Sequence, residues 1–287
     1  MSRIALRGWP RVAVSIAGFL FALNAFPSTT AIVVENIGTF EYSAAGKGLA
    51  ITFESAATHK RLNYRVQPFD ECSAMGMYRL PGTAQIAVDG SCQSQGGQVF
   101  IQIFGWNAGA QDWCMVRQIS GEKPDMTSGD FVGSMEVARV LNCPKIGSDM
   151  SYTYESNESV KKDIDKKLAE LKSAESDKAK LTTYLAGITF YDPLEIAGFV
   201  GKIDVQMAND LGFFLVQAKR PGDAIPLLAK IVSVYPDRVV AKLNLADALW
   251  NTDQQEPAKL QYSEYVSQMK KLGKSDRVPT RALERSH

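Results

Sequence analysis

The residues able to do chemistry are few and poorly grouped. The 287-residue chain carries two histidines, His59 and the terminal His287. His59 lies in ATHKRLNY beside Lys60 and Arg61, the setting of a surface side chain. One internal histidine cannot build a multi-histidine metal site. With no G-x-S-x-G turn it has no nucleophile elbow to serve. Asp70 and Glu71 are adjacent, so on a strand they would point to opposite faces, whereas acid–base catalysis needs carboxylates aimed at one bond. The glycine- and serine-rich DGSCQSQGG lacks the lysine and following helix of a phosphate loop and reads as a hairpin tip. The expectation is a protein with no catalytic residue, no metal and no cofactor. A glycoside hydrolase assembled from carboxylates distant in sequence, with the helical repeat of residues 205–272 as an accessory module, stays open as an alternative.

The four cysteines are a different matter. Cys72, Cys92, Cys114 and Cys143 are spaced by 20, 22 and 29 residues, with no close pair of the kind zinc sites use. An even set confined to one segment reads as two disulfides, with three pairings open. The start of the chain agrees with an oxidising compartment. Arg3, Arg7 and Arg11 precede a mostly apolar run from Val12 to Leu23, then Pro27 and the small residues Ser28–Ala31. This is the layout of a secretory leader, with cleavage expected after Ala31; the run is shorter than the roughly twenty residues a membrane span needs. No cysteine near the cut suggests a lipid anchor, and the first is Cys72. The predicted location is periplasmic or secreted, with no membrane attachment after cleavage. Losing residues 1–31 takes the formal charge from +1 to −2, a balance that speaks against a nucleic-acid partner.

The elements that must position these residues fall into two textures. Between residues 32 and 150, short period-two segments such as LAITFES, AQIAVDG and QVFIQIFGW alternate with glycine-rich breaks. That pattern predicts an antiparallel β sandwich or barrel-like sheet. Residues 99–104 are apolar on both pleat faces, which predicts a central strand. Residues 151–204 read as a linker and irregular helices. A charged helix is expected from Ser159 with a stripe of Val160, Ile164, Leu168 and Leu171, and a break at Tyr191-Asp192-Pro193. The fold class is therefore α+β.

Residues 205–272 repeat. At an offset of 34, Leu211 aligns with Leu245, Gly212 with Ala246, Leu215 with Leu249, Ala224 with Ala258, Leu228 with Tyr262 and Ile231 with Tyr265. Pro221-Gly222-Asp223 divides the first unit, Tyr235-Pro236-Asp237 ends it, and Asp237 is placed to cap the next helix. This segment resembles the tetratricopeptide repeat family, whose period is 34. Departures are Ala208 and Lys242 where the family often has tryptophan, and Lys270 at the second closing proline. The resemblance implies a right-handed stack of helical hairpins and a protein or peptide partner, with no chemistry of its own. Two units are fewer than such arrays generally need. Helices before residue 200 are therefore expected to cover one end, and residues 273–287, helical near Pro279–Arg285, the other.

In this family the first helix of each unit lines the concave groove. Carried across, that face is Gln206, Asn209, Phe213, Val216 and Gln217, then Val240, Leu243, Asp247, Trp250 and Asn251. The lysine and asparagine pattern that clamps an acidic tail is missing. The alternative for Phe213 and Trp250 is packing against flanking helices. The expected function is that of an exported, non-enzymatic binding protein. The alternative is an envelope inhibitor or immunity-type protein whose contact surface is the loops around Cys72–Gly97.

Overall fold

The computed structural model describes residues 30–67, 72–92, 97–122, 134–148 and 151–287. The expected leader up to residue 29, Asp70 and Glu71 lie outside the described residues, as do residues 93–96 of the segment expected to form a hairpin tip.

Period-two alternation produces two antiparallel sheets packed face to face. The first has order β1 (Thr30–Val34), β2 (Gly38–Ala45), β3 (Gly48–Ser55), β4 (Arg61–Val66). The second has order β5 (Cys72–Arg79), β6 (Gln85–Cys92), β7 (Gln98–Asn107), β8 (Asp112–Glu122), β9 (Ser134–Arg139). Within each sheet every strand pairs with its neighbour in sequence, so each sheet is a meander, and the chain crosses between the sheets once, from β4 to β5. Ala45 pairs with Gly48 across a two-residue turn, and Gly46 takes a left-handed φ of 67° there. Leu49, Ile51 and Phe53 point inward from the first sheet and Ile86, Val88, Phe104 and Trp113 from the second. An aromatic cluster fills the centre, with Phe40 and Trp113 ring centroids 4.9 Å apart.

The second sheet is covered on both faces. Leu80, Ala87, Ile103 and Ile119 face away from the sandwich and pack on Tyr191 and Leu194. That is why residues 99–104 carry apolar side chains on both pleat faces, interrupted only by Gln102, and β7 is the middle strand of its sheet. The cover is a seven-residue helix, α3 (Tyr191–Ala197), where sequence reasoning expects a break. Pro193 falls in its first turn, where a missing N–H leaves no helical bond unmade. The break at Tyr191 is therefore corrected to a helix start, buried along its whole length.

Two helices precede it. α1 (Asn157–Ala174) begins two residues before the expected Ser159, because Ser156 Oγ accepts from Ser159 N at 3.3 Å. Val160, Ile164, Leu168 and Leu171 form its buried stripe. α2 (Lys178–Gly187) is capped by Asp177.

The repeat follows as two hairpins. α4 (Val205–Gln217) pairs with α5 (Pro221–Val234), and α6 (Val239–Trp250) with α7 (Gln255–Lys271). All twelve aligned positions are buried. The turns repeat too: Arg220 N donates to Leu215 O at 2.9 Å and Gln254 N to Leu249 O at 3.0 Å. Lys219 and Asp253, again 34 apart, hold left-handed φ values of 64° and 61°. Gly212 is required by close approach, since a Cβ there would stand 2.6 Å from Leu228. Asp237 does not cap α6; Arg238 occupies the cap position and makes no side-chain cap bond. Pro236 stops α5 at Val234, whereas Lys270, at the corresponding position, lets α7 run on to Lys271.

The ends are covered from within the chain. α1 packs against α4, α3 against α5, and a short helix α8 (Thr280–Glu284) against α7. Burying a leucine such as Leu211 or Leu228 contributes on the order of 2 kcal/mol, so each hairpin depends on its neighbour for stability.

Candidate partner-binding site

On α4, Gln206, Asp210, Phe213 and Gln217 follow one another at helical spacing along one face. On α6 the same spacing aligns Val240, Leu243, Asp247 and Trp250. Two bonds hold these faces side by side. Asn244 Nδ2 donates to Asn209 Oδ1 at 3.2 Å, and Arg238 donates to Gln206 Oε1.

The expected groove residues divide into three fates. Asn209 is buried between the helices and Val216 lies in the core, so neither can meet a partner. An amide bonded on both sides in a dry helix interface cannot release its partners without loss; Asn209 also donates to Asp210 Oδ1 at 3.3 Å.

Phe213 (40% exposed), Val240 (57%), Gln206 and Gln217 are open to solvent, and Leu243 is half-buried against the core. Gln206 Nε2 donates to both oxygens of Asp210 at 2.8 Å, which holds the carboxylate on this face. Lys242 does not join them, because its buried ammonium turns to Glu264 at 2.6 Å. The open surface thus combines apolar carbon, amides and one carboxylate.

The third set is occupied. Asp247 accepts from Tyr262 Oη at 2.7 Å, from Arg281 Nε at 3.0 Å and from Arg281 Nη2 at 2.7 Å. Trp250 stacks edge-on to Tyr262 at 6.3 Å and lies under the Arg285 guanidinium, 4.6 Å from the ring centroid. Burial first, and then the bond to Asp247, push the Tyr262 phenol up to about 12. The Asp247 bond likewise raises Arg281 above its ordinary value. Asn251 is exposed, and its backbone N–H closes α6 on Asp247 O at 3.1 Å. Packing therefore describes Trp250, and exposure describes Phe213. Arg281, Arg285 and Tyr262 were not in the expected site. Their signal was present, since Arg281 stands 34 residues beyond Asp247.

Elsewhere the reactive types are placed apart. His59 is exposed, with Nδ1 3.6 Å from Glu54. Asp112 accepts from Tyr64 Oη at 2.6 Å and pairs with Lys145 at 2.7 Å, a structural tie between the sheets. Cys72 pairs with Cys92, directly opposite on β5 and β6, and Cys114 with Cys143, which straps the segment after β9 onto β8. Among the described residues no group of three or more potential ligands could hold a metal, and no helix is long and apolar enough to cross a membrane.

No family model and no curated protein matches the chain. Solved structures give low-scoring likenesses. One mutant of MamA is 17% identical, with 44% of this chain matched to 94% of that one at a TM-score of 0.25. A second MamA mutant is 14% identical, 46% matched to 98% at 0.23. The chain is similar in the same degree to MamA MSR-1 C2, at 14% identity, 45% matched to 95%, and a TM-score of 0.24. At these scores the likeness carries no argument, and the helical array rests on its own geometry.

Proposed function

We propose that the protein is a non-enzymatic binding protein that takes a protein or peptide segment on the open face shared by α4 and α6. One observation carries the reading: Phe213 and Val240 leave apolar side chains in solvent on two helices locked side by side in repeat register. An exposed aromatic such as Phe213 belongs to the side-chain class enriched at the core of protein interfaces, and Val240 extends its apolar surface. The arginine-led leader and the two disulfides support a setting outside the cytoplasm.

The test is substitution and not truncation, since removing residues 151–287 would strip α3 from the second sheet and bare Ile103 and Ile119. Phe213→Glu and Val240→Glu should each abolish co-purification of a partner from the envelope fraction while leaving the circular dichroism melt unchanged. Partners retained by both variants would move the site away from this face, toward the loops around Cys72–Gly97. N-terminal sequencing of the envelope form should begin at Ile32; an intact chain confined to the cytoplasm would reject export.

A further inference from the structure

The closed end of the inner face shows what it can hold. α8 falls on the closing turn of where a third unit's first helix would lie, since Arg281 follows Asp247, and buried Ala282 follows buried Ala248, by 34 residues. Yet α8 is only five residues long, Ala282 is its one fully buried side chain, and Leu283 remains 43% exposed. What seats it is two arginines a helical turn apart. Arg281 grips the Asp247 carboxylate with two N–H groups. Arg285 lies over Trp250 and donates from Nη1 to Tyr262 Oη at 3.0 Å. A forked guanidinium on a carboxylate and a second over an indole face are specific recognition geometries. The tether is a turn, with Gly273 at a left-handed φ of 68° and a single 3-10 turn at Ser275–Arg277.

We infer that Asp247, Trp250 and Tyr262 form a binding site for a helical segment presenting arginines at positions i and i+4, which α8 occupies as an internal stand-in and vacates for a partner. The charge complementarity is on Asp247, and the small residue between the arginines is required by the depth at which Ala282 sits. The inference shares with the proposed function only the idea that the inner row is a binding face, and it uses none of the open residues. A segment held in place most of the time lowers the apparent affinity for an external competitor in proportion to the fraction left open.

The probe is a labelled synthetic peptide of residues 275–287, titrated by fluorescence anisotropy against full-length protein. The Arg281→Ala/Arg285→Ala chain should bind it at 1:1 stoichiometry and about tenfold or more tighter than wild type. Adding Asp247→Asn should reverse that gain, and a peptide with both arginines replaced by alanine should not bind. Equal binding by wild type and the unlatched chain, or indifference to Asp247→Asn, overturns the site. A second readout needs no substitution: in wild-type protein the hydrogen-bonded amides of Leu283 and Arg285 should exchange about a hundredfold faster than those of α6 and α7. Exchange in step with those helices would make α8 a fixed part of the core and end the proposal. Phe213→Glu should leave peptide binding unchanged, which separates failure of this site from failure of the open face.

Discussion

Arg139 on β9 and Glu195 on α3 meet as a two-pronged pair, Nε to Oε1 at 2.7 Å and Nη2 to Oε2 at 2.7 Å, although 56 residues separate them. The Glu195 side chain is 1% exposed. The remaining Arg139 nitrogen reaches Asp163 on α1 at 2.6 Å, and these carboxylates, Glu195 foremost, hold the guanidinium firmly in its charged form. Arg117 lies 3.6 Å from Glu195, too far for a good hydrogen bond, and covers the Tyr191 ring at 4.3 Å. With the apolar patch beneath α3, this pair joins the sandwich to the helices.

Removing one partner of a buried pair leaves the other charge uncompensated, at a cost of about 3–5 kcal/mol. Arg139→Ala, which takes both hydrogen bonds from the buried Glu195 carboxylate, should lower stability by that amount in urea unfolding, whereas Glu195→Ala should cost less because Asp163 still pairs with Arg139. Replacing both residues, as Arg139→Met with Glu195→Leu, should recover most of it. Equal losses in the single and double variants would show that packing of α3, and not the charge, sets the energy.

Asp89 predicts a pH dependence. It is 7% exposed, on the α3-covered face of β6 with Ala87, and among the described residues its Oδ1 has no hydrogen-bond partner. Burial pushes its pKa up to about 6, against the bonds it accepts from its own N–H and that of Gly76. The unfolded value is about 3.9, so between these the folded state binds more protons. Its contribution to stability is therefore greatest near pH 4, falls as pH rises, and levels off above about 6. Asp89→Asn should be more stable than wild type at pH 7.5, by on the order of 2 kcal/mol, and equal to it near pH 4. Parallel stability profiles for the two chains would sink this assignment.

Gly212 should tolerate nothing larger. Gly212→Ala drives a methyl to within 2.6 Å of Leu228, which is itself fully buried, and overpacking of this kind costs about 1–3 kcal/mol. Combining it with Leu228→Ala should destabilise by less than the two single losses added together, because the smaller residue gives the methyl room. Strict additivity in a double-mutant cycle would show that the two do not touch.

The disulfides close loops of 20 and 29 residues. On loop-closure grounds, removing either as a serine pair should cost about 3 kcal/mol in thermal or urea unfolding. Peptide mapping under non-reducing conditions should recover Cys72 with Cys92 and Cys114 with Cys143. Any other pairing would contradict the register of β5 on β6.

Much of the candidate site could be read in advance, and the misses share a cause. Phe213 and Val240 stand exposed on α4 and α6, at positions carried across from the tetratricopeptide resemblance. Asn209 comes from the same resemblance, yet it is consumed by Asn244, a bond set by how closely two helices approach. Pro193 misled because proline interrupts a helix in its middle but is tolerated in its first turn, and only the position of α3 on the sheet tells which applies. Asp237 had the right chemistry for a cap and missed the position by one residue.

What the amino-acid order determined by itself is local and periodic. Two-residue alternation makes the strands, and a 34-residue recurrence makes the hairpins, down to the matched left-handed turns at Lys219 and Asp253. Both depend on residues within a few positions of each other, so spacing encodes them. Tertiary structure decided which cysteines pair, that Glu195 answers Arg139, and that the chain's own Arg281 and Arg285 close one end of the inner face. Those choices depend on which surfaces meet, and close packing of remote segments is not written in any spacing along the chain.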